Sequence, residues 1–260
     1  MPKPSLEQRT DLLASLEEFG RIFTSRWPQV DSTGKITYCI GGAFAFMLLM
    51  RSQAIESLEA RSLPEICVRE EKIITEPARR SLSSFARKIS DIDLVRITGE
   101  SIPHEKSSKY GAKWIDTRKL PRQVRNVLIA PRNRLLCDEV ACLAPLEVSR
   151  LSIKGVKFFI ERPSDVFGYK MFYMAAGNLR NDDFATLYKG LQSFYPAGVL
   201  ISRTADIFKG FQTSRQDNQG AVNRMLEGVY ANRRASDEVK EFFRQVEQEY
   251  QRAYSNHNGQ

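Results

Sequence analysis

Histidine is nearly missing from this chain: His104 and His257 are the only two in 260 residues. Chemistry built on an imidazole base, a serine–histidine–aspartate relay included, is therefore not expected. Cysteine is scarce as well. Cys39, Cys67, Cys137 and Cys142 show no Cys-x-x-Cys spacing, and with so few histidines a zinc site is not expected either. The four read as reduced, partly buried small residues. No apolar run reaches the roughly 18–20 residues that cross a bilayer. The longest, Tyr38–Met50, is stopped by Arg51. The opening residues, Met-Pro-Lys-Pro-Ser-Leu-Glu, lack the apolar stretch of a secretory leader. These absences lead to the expectation of a cytoplasmic protein with no membrane partner.

Acidic residues are outnumbered. The formal net charge is +8 and the isoelectric point about 9.3. Such an excess favours a polyanionic partner, nucleic acid or nucleotide, although an ordinary basic surface accounts for the same number. The hydrophobic fraction of 42% suffices for a real core, and the length allows one large domain or two small ones.

Two stretches carry the chemistry. In the first, the apolar Tyr38-Cys39-Ile40 ends in Gly41-Gly42 and continues as Ala43–Met50, which reads as a buried helix. A glycine pair between strand and helix lets backbone N–H groups approach a phosphate with no Cβ in the way. The second is Ser90-Asp91-Ile92-Asp93-Leu94-Val95. Period two places Asp91 and Asp93 on one face of a strand whose other residues are apolar. Two carboxylates so placed repel each other and lose hydration, unless a cation lies between them. Mg²⁺ bound together with substrate phosphates meets that need.

Other segments supply the scaffold. Ser5 and Gln8 form a capping box for a helix over Ser5–Arg26, with Leu12, Leu13, Leu16, Phe19 and Phe23 on its core face. Residues 51–86 read as an insertion with a helix over Ala78–Ala86, and residues 98–118 as a long loop. Arg118, Lys119, Arg122, Arg125, Arg132 and Arg134 form a basic cluster, compatible with a phosphate-backbone surface or with a merely solvated face. Pro121 suits the start of a short helix to about Leu128. Leu146–Ile153 and Val156–Ile160 flank Lys154-Gly155, a hairpin signal. Pro163 begins a helix with Ser164 as its cap. Short helices are expected at Ala205–Phe211 and Asn223–Tyr230, with a chain break at Tyr195–Gly198. A last helix capped by Ser236 runs to about Tyr254, burying Val239, Phe242, Phe243, Val246 and Tyr250.

The Gly-Gly turn followed by Asp-x-Asp resembles the nucleotidyltransferase superfamily. Arg87-x-x-x-Asp-Ile-Asp-Leu is similar to the AbiEii-type members, which include toxins of type IV-like toxin–antitoxin pairs and the MenT toxins. A second motif, Pro163-Ser164-Asp165 through Lys170 and then Arg180-Asn181-Asp182-Asp183-Phe184, follows in family order. The match departs from the family in places. Forty-nine positions separate Gly42 from Asp91, and Ile89 stands where a serine or threonine is usual. Asp182 stands where a basic residue is usual, and Thr186 replaces the usual second aspartate. The resemblance implies an α/β (α+β) nucleotidyltransferase fold, with a mixed-sheet core over 1–162 and a helical C-terminal subdomain over 163–260. It further implies transfer of a nucleoside monophosphate from an NTP to an acceptor hydroxyl. Asp91 and Asp93 would hold Mg²⁺ or Mn²⁺, Gly41 and Gly42 would contact phosphates, Lys170 would neutralise them, and Asp183 would orient the acceptor. Glu147 is the expected third carboxylate, with Asp138, Glu139 and Glu161 as rivals. RNA, notably the tRNA 3′ end, is the implied acceptor, and an antitoxin protein a possible partner. A protein or small-molecule acceptor, or a non-catalytic nucleic-acid-binding module on the same fold, fits the same residues.

Overall fold

In the computed structural model, residues 5–26, 29–58, 68–86, 88–97, 113–130, 133–139, 148–214 and 220–255 are described. Along the first part run α1 (Leu6–Arg26), β1 (Tyr38–Ile40), α2 (Gly42–Leu49), β2 (Ala54–Leu58), β3 (Val68–Ile73), α3 (Glu76–Ser83), β4 (Asp91–Arg96) and β5 (Lys113–Asp116). A 3-10 turn (Thr117–Lys119) leads to α4 (Arg122–Arg125), β6 (Arg134–Glu139), β7 (Val148–Ile153) and β8 (Val156–Glu161). Only helices follow among the described residues: α5 (Pro163–Ala175), α6 (Asn181–Gln192), α7 (Ala197–Ser214), α8 (Ala221–Ala231) and α9 (Asp237–Ser255). The fold is α+β, a mixed sheet with a helical C-terminal half. No helix among the described residues is long and apolar enough to cross a membrane. The chain divides into two compact units. One comprises residues 1–141 and 146–163, the other residues 142–145 and 164–260.

The first unit is built on an eight-stranded sheet in the order β3-β2-β7-β8-β1-β4-β6-β5. β1 lies near its middle, antiparallel to β4 and parallel to β8. The Lys154-Gly155 hairpin forms as the sequence indicates. Both residues have positive φ, 46° and 80°, which the two-residue turn demands. The capping box also forms: Ser5 N–H donates to Gln8 Oε1 at 2.9 Å and Gln8 N–H to Ser5 Oγ at 3.3 Å. Leu12, Leu16, Phe19 and Phe23 are buried on α1, and the Phe19 and Phe23 rings pack on Phe44 of α2.

Two buried polar side chains hold this unit together. Gln29 bridges β1 and β8: its Nε2 donates to the Phe159 carbonyl (2.5 Å) and the Tyr38 carbonyl (3.3 Å), while its Oε1 accepts from Phe159 N–H (2.9 Å). The amide thus serves as a short extra rung where β1 and β8 share a single registered pair, Ile40 with Ile160. Glu17, 5% exposed, receives Arg21 at 3.0 Å, Arg51 at 2.9 Å and Lys154 at 2.8 Å. It joins α1 to the end of α2 and to the hairpin turn.

The second unit has an aromatic core. Phe167 packs on Phe184, Tyr188 and Phe242, and Phe172 on Phe208 and Phe211. Val239, Phe242, Phe243, Val246 and Tyr250 are buried on α9, which Ser236 caps through Val239 N–H. Within this unit Asp165, 2% exposed, accepts from Arg203 Nε at 2.6 Å.

Several elements differ from expectation. Residues 51–86 do contain a helix, shifted to Glu76–Ser83, but they also add β2 and β3 to the sheet. β2 pairs with β7 and so covers an edge that would otherwise be exposed. The expected loop 98–118 ends in β5, an edge strand recruited by β6; residues 98–112 lie outside the described residues. The helix after Pro121 stops at Arg125, because Val127 and Ile129 leave it to bond Ile89. Ser164 is not a cap. Proline fits the first helical position, which puts Ser164 inside the first turn, with its hydroxyl buried. α7 begins right after Pro196 and contains Gly198, so the expected break is a helix start.

Replacing Gln29 with Leu should cost about 3 kcal/mol in urea unfolding, because buried partners on Tyr38 and Phe159 lose their bonds. For Glu17, burial alone would raise the carboxyl, but hydrogen bonds from Lys154 and Arg51 outweigh it and hold the pKa below the ordinary value. The resulting stability is present above the unfolded-state value and fades as pH falls through the lowered folded one. Glu17→Gln should therefore lose about 2 kcal/mol at neutral pH and show a flatter stability profile below about pH 5.

Candidate functional site

The site begins where β1 runs out. Gly41 is buried and donates its N–H to the Asp93 carbonyl at 2.8 Å, the last rung between β1 and β4. Gly42 opens α2 at φ +61°, a left-handed conformation that side chains rarely adopt. Space is as restrictive as the dihedral. A Cβ on Gly42 would overlap Asp93 Oδ2 outright and stand 2.7 Å from its Cγ. The Asp93 carboxylate therefore rests directly against the backbone at the helix start. α2 has no side-chain cap and no acid in its first turn. Its N-terminal peptide groups, with the partial positive charge of a helix start, face the neighbourhood of Asp93.

A second carboxylate closes on the same turn. A Cβ on Gly41 would meet Glu161 Oε2 at 2.9 Å and Asp93 Cβ at 3.6 Å. Glu161 ends β8 and is 4% exposed. It follows Phe159 by two residues, as Asp93 precedes Val95 and Gly41 follows Cys39. Period two thus puts Asp93, Glu161 and the glycine turn on the sheet face that carries the apolar cluster of Ile36, Cys39, Val95, Val148 and Phe159. That cluster lowers the dielectric around the acids and makes a cationic or hydrogen-bonding partner more valuable to them.

Asp91 and Asp93 are both half-buried on β4. The Ser90 hydroxyl donates to Asp91 Oδ1 at 2.9 Å. A hydroxyl thus reaches the first aspartate from the adjacent position, not from position 89, where Ile89 is buried. Asp93 stands in register with Asp138 of β6. Glu147, the expected third acid, lies outside the described residues, as does Arg87. Glu161 is the acid whose side chain is seen at the turn. It reaches the turn because β8 runs parallel beside β1, a pairing that the local sequence does not signal.

Lys170 and Asp183 belong to the second unit. Lys170 is half-buried on α5, between Tyr169 and Met171, which are buried. Asp183 is in the first turn of α6, where an acid complements the helix dipole, and its Oδ2 is 3.7 Å from Arg180.

No group of three His, Cys, Asp or Glu arranged to hold a metal occurs among the described residues. The donors at the turn are all carboxylate oxygens, which suit a hard cation. Mg²⁺ in particular needs only one or two carboxylates when phosphates complete its shell.

Gly42→Ala should be far more damaging than Gly34→Ala. Gly34 also has positive φ (+83°), but a methyl group there would have nothing within 4 Å, so it should lose about 1 kcal/mol to backbone strain alone. At Gly42 the overlap with Asp93 adds to that strain, and a loss of about 3 kcal/mol or more is expected in urea titrations.

Comparison with family models, with curated proteins and with solved structures gives no match to this chain.

Proposed function

We propose that this chain is a Mg²⁺-dependent nucleotidyltransferase that moves a nucleoside monophosphate from an NTP to an acceptor hydroxyl. RNA, at the tRNA 3′ end, is the favoured acceptor, and a toxin restrained by an antitoxin protein is the favoured biological setting. The observation that carries this reading is the seating of Asp93 against a left-handed Gly42 at the start of α2. A side chain at that position is excluded, while a carboxylate, a strand end and helix N–H groups converge there. That convergence suits a cation and a phosphate together.

In the proposed reaction the acceptor oxygen forms a bond to the α-phosphorus and the α–β bridging P–O bond breaks. Pyrophosphate leaves with the electron pair, and the hydroxyl proton passes to a site carboxylate or to water. Asp91 and Asp93 would hold Mg²⁺ or Mn²⁺, whose chemistry there would be neutralisation of triphosphate charge. The backbone N–H groups at the start of α2, from Gly42 on, would donate to phosphate oxygens; that of Gly41, expected to do the same, is already taken by the Asp93 carbonyl. Ser90 fixes the Asp91 rotamer through its hydrogen bond. Lys170 and Asp183 enter through the resemblance of their motif, as the lysine that offsets phosphate charge and the acid that orients the acceptor. Such catalysis is positioning and electrostatics, for which histidine is not required.

The test is incubation of the full chain with labelled NTPs, Mg²⁺ and total tRNA. Wild type should label tRNA, and Asp91→Asn or Asp93→Asn should reduce labelling by about a hundredfold or more. Lys170→Ala should lower kcat in the same direction. Label on protein or on a small molecule would redirect the acceptor assignment. Absence of transfer to every acceptor, with RNA still bound, would replace the enzyme by a nucleic-acid-binding module.

A further inference from the structure

The segment between the 3-10 turn and β6 is charged with one sign only. From Thr117 to Ala130 it holds Arg118, Lys119, Arg122 and Arg125 and no acid. All four cations are exposed, whereas Leu120, Val124, Val127 and Leu128 are buried. The apolar positions anchor the segment and leave the cations facing water. The anchoring also fixes where they stand. Ile89 N–H donates to the Val127 carbonyl at 2.8 Å, and Ile129 N–H donates to the Ile89 carbonyl at 2.6 Å, a parallel bridge that ties the segment to the strand entering Asp91. Lys88, exposed, extends the positive surface to the residue before that bridge. Asp116 braces its near end. Arg118 donates through Nε and its own backbone N–H at 3.0 Å, and through Nη2 at 2.6 Å. These bonds bring the Asp116 carboxyl down to about 2, so the brace stays ionised across the physiological range.

We infer that Lys88, Arg122 and Arg125, with Lys119 and the braced Arg118, form the surface that holds the sugar–phosphate backbone of an acceptor RNA and leads its end toward Asp91 and Asp93. The inference rests on the nucleotidyltransferase reading for the identity of the acceptor, but the surface is argued from this segment alone. Arginine matches phosphate with a planar fork of donors, and the intervening exposed Gln123 and Asn126 add neutral donors of the kind that contact phosphate and sugar. An acidic protein partner fits less well. Protein interfaces centre on buried aromatic and aliphatic anchors, and among the described residues of this segment Ile129, 37% exposed, is the one large apolar side chain presented.

The test is equilibrium binding of the full chain to tRNA without nucleotide or divalent metal, over a range of salt concentrations. Arg122→Ala/Arg125→Ala should weaken binding about tenfold and lower the salt slope by about 1 for each side chain removed. Arg122→Lys/Arg125→Lys should restore most of the slope and only part of the affinity. Circular dichroism should show the same fold in all variants. Unchanged tRNA affinity and slope in the alanine pair would overturn the inference while leaving the enzyme reading intact. Loss of binding in that pair, with no nucleotidyl transfer to any acceptor by wild type, would uphold the surface and sink the enzyme reading. Arginine-dependent binding of poly-glutamate or duplex DNA as tight as that of tRNA would overturn RNA as the intended occupant.

Discussion

One contact sets the architecture around the site: the Asp93 carboxylate lies against the Cα of Gly42, with no volume left for even a methyl group. The contact requires that the chain turn from β1 into α2 through a left-handed residue and that β4 lie antiparallel beside β1, with Gly41 N–H on the Asp93 carbonyl. β8 must also come alongside on the other edge of β1, which brings Glu161 to the same turn. The buried Gln29 amide, bonded to both β1 and β8, secures that last placement where the regular ladder is too short to do so. Acid placement and backbone geometry are thus one constraint.

Much of this was legible in the amino-acid order because the signals were local. Ser5 and Gln8, Lys154-Gly155, and Ser236 before α9 each carry their own turn or cap chemistry, and each forms where local rules place it. Asp91 and Asp93 share a face because strand period alone decides that. What was not legible depended on partners distant in sequence. β2 and β5 are weakly patterned and exist because β7 and β6 offer edges to pair with, and β3 in turn pairs with β2. Glu161 could be placed at the turn only once the parallel pairing of β8 with β1 was known, since nothing near Glu161 mentions Gly41. Pro163 was read as a helix start and is one, whereas Pro196 misled because proline both ends and begins helices, and there it begins one.

The two units are stabilised differently. The first depends on buried polar groups, Gln29 and Glu17, that stitch elements far apart in sequence. The second is an aromatic cluster centred on Phe167, Phe172, Phe184 and Phe242, with one buried ion pair, Asp165 with Arg203, inside it. A buried pair of that kind gives little net stability compared with an apolar pair of the same shape, but it penalises any packing that separates its members.

The parallel pairing of Ile40 with Ile160 has a consequence for how the molecule comes into being. β1 is made early in synthesis, yet one of its two neighbours is completed only at Glu161. A ribosome-bound chain that has emerged as far as β6 already has Asp91, Asp93 and the glycine turn, but it has neither Glu161 nor the rung partner of Gln29. Long-range pairing of this sort is slow to form. The meeting of Asp93 and Glu161 at the glycine turn is therefore a late product of folding, assembled only after most of the first unit has left the exit tunnel.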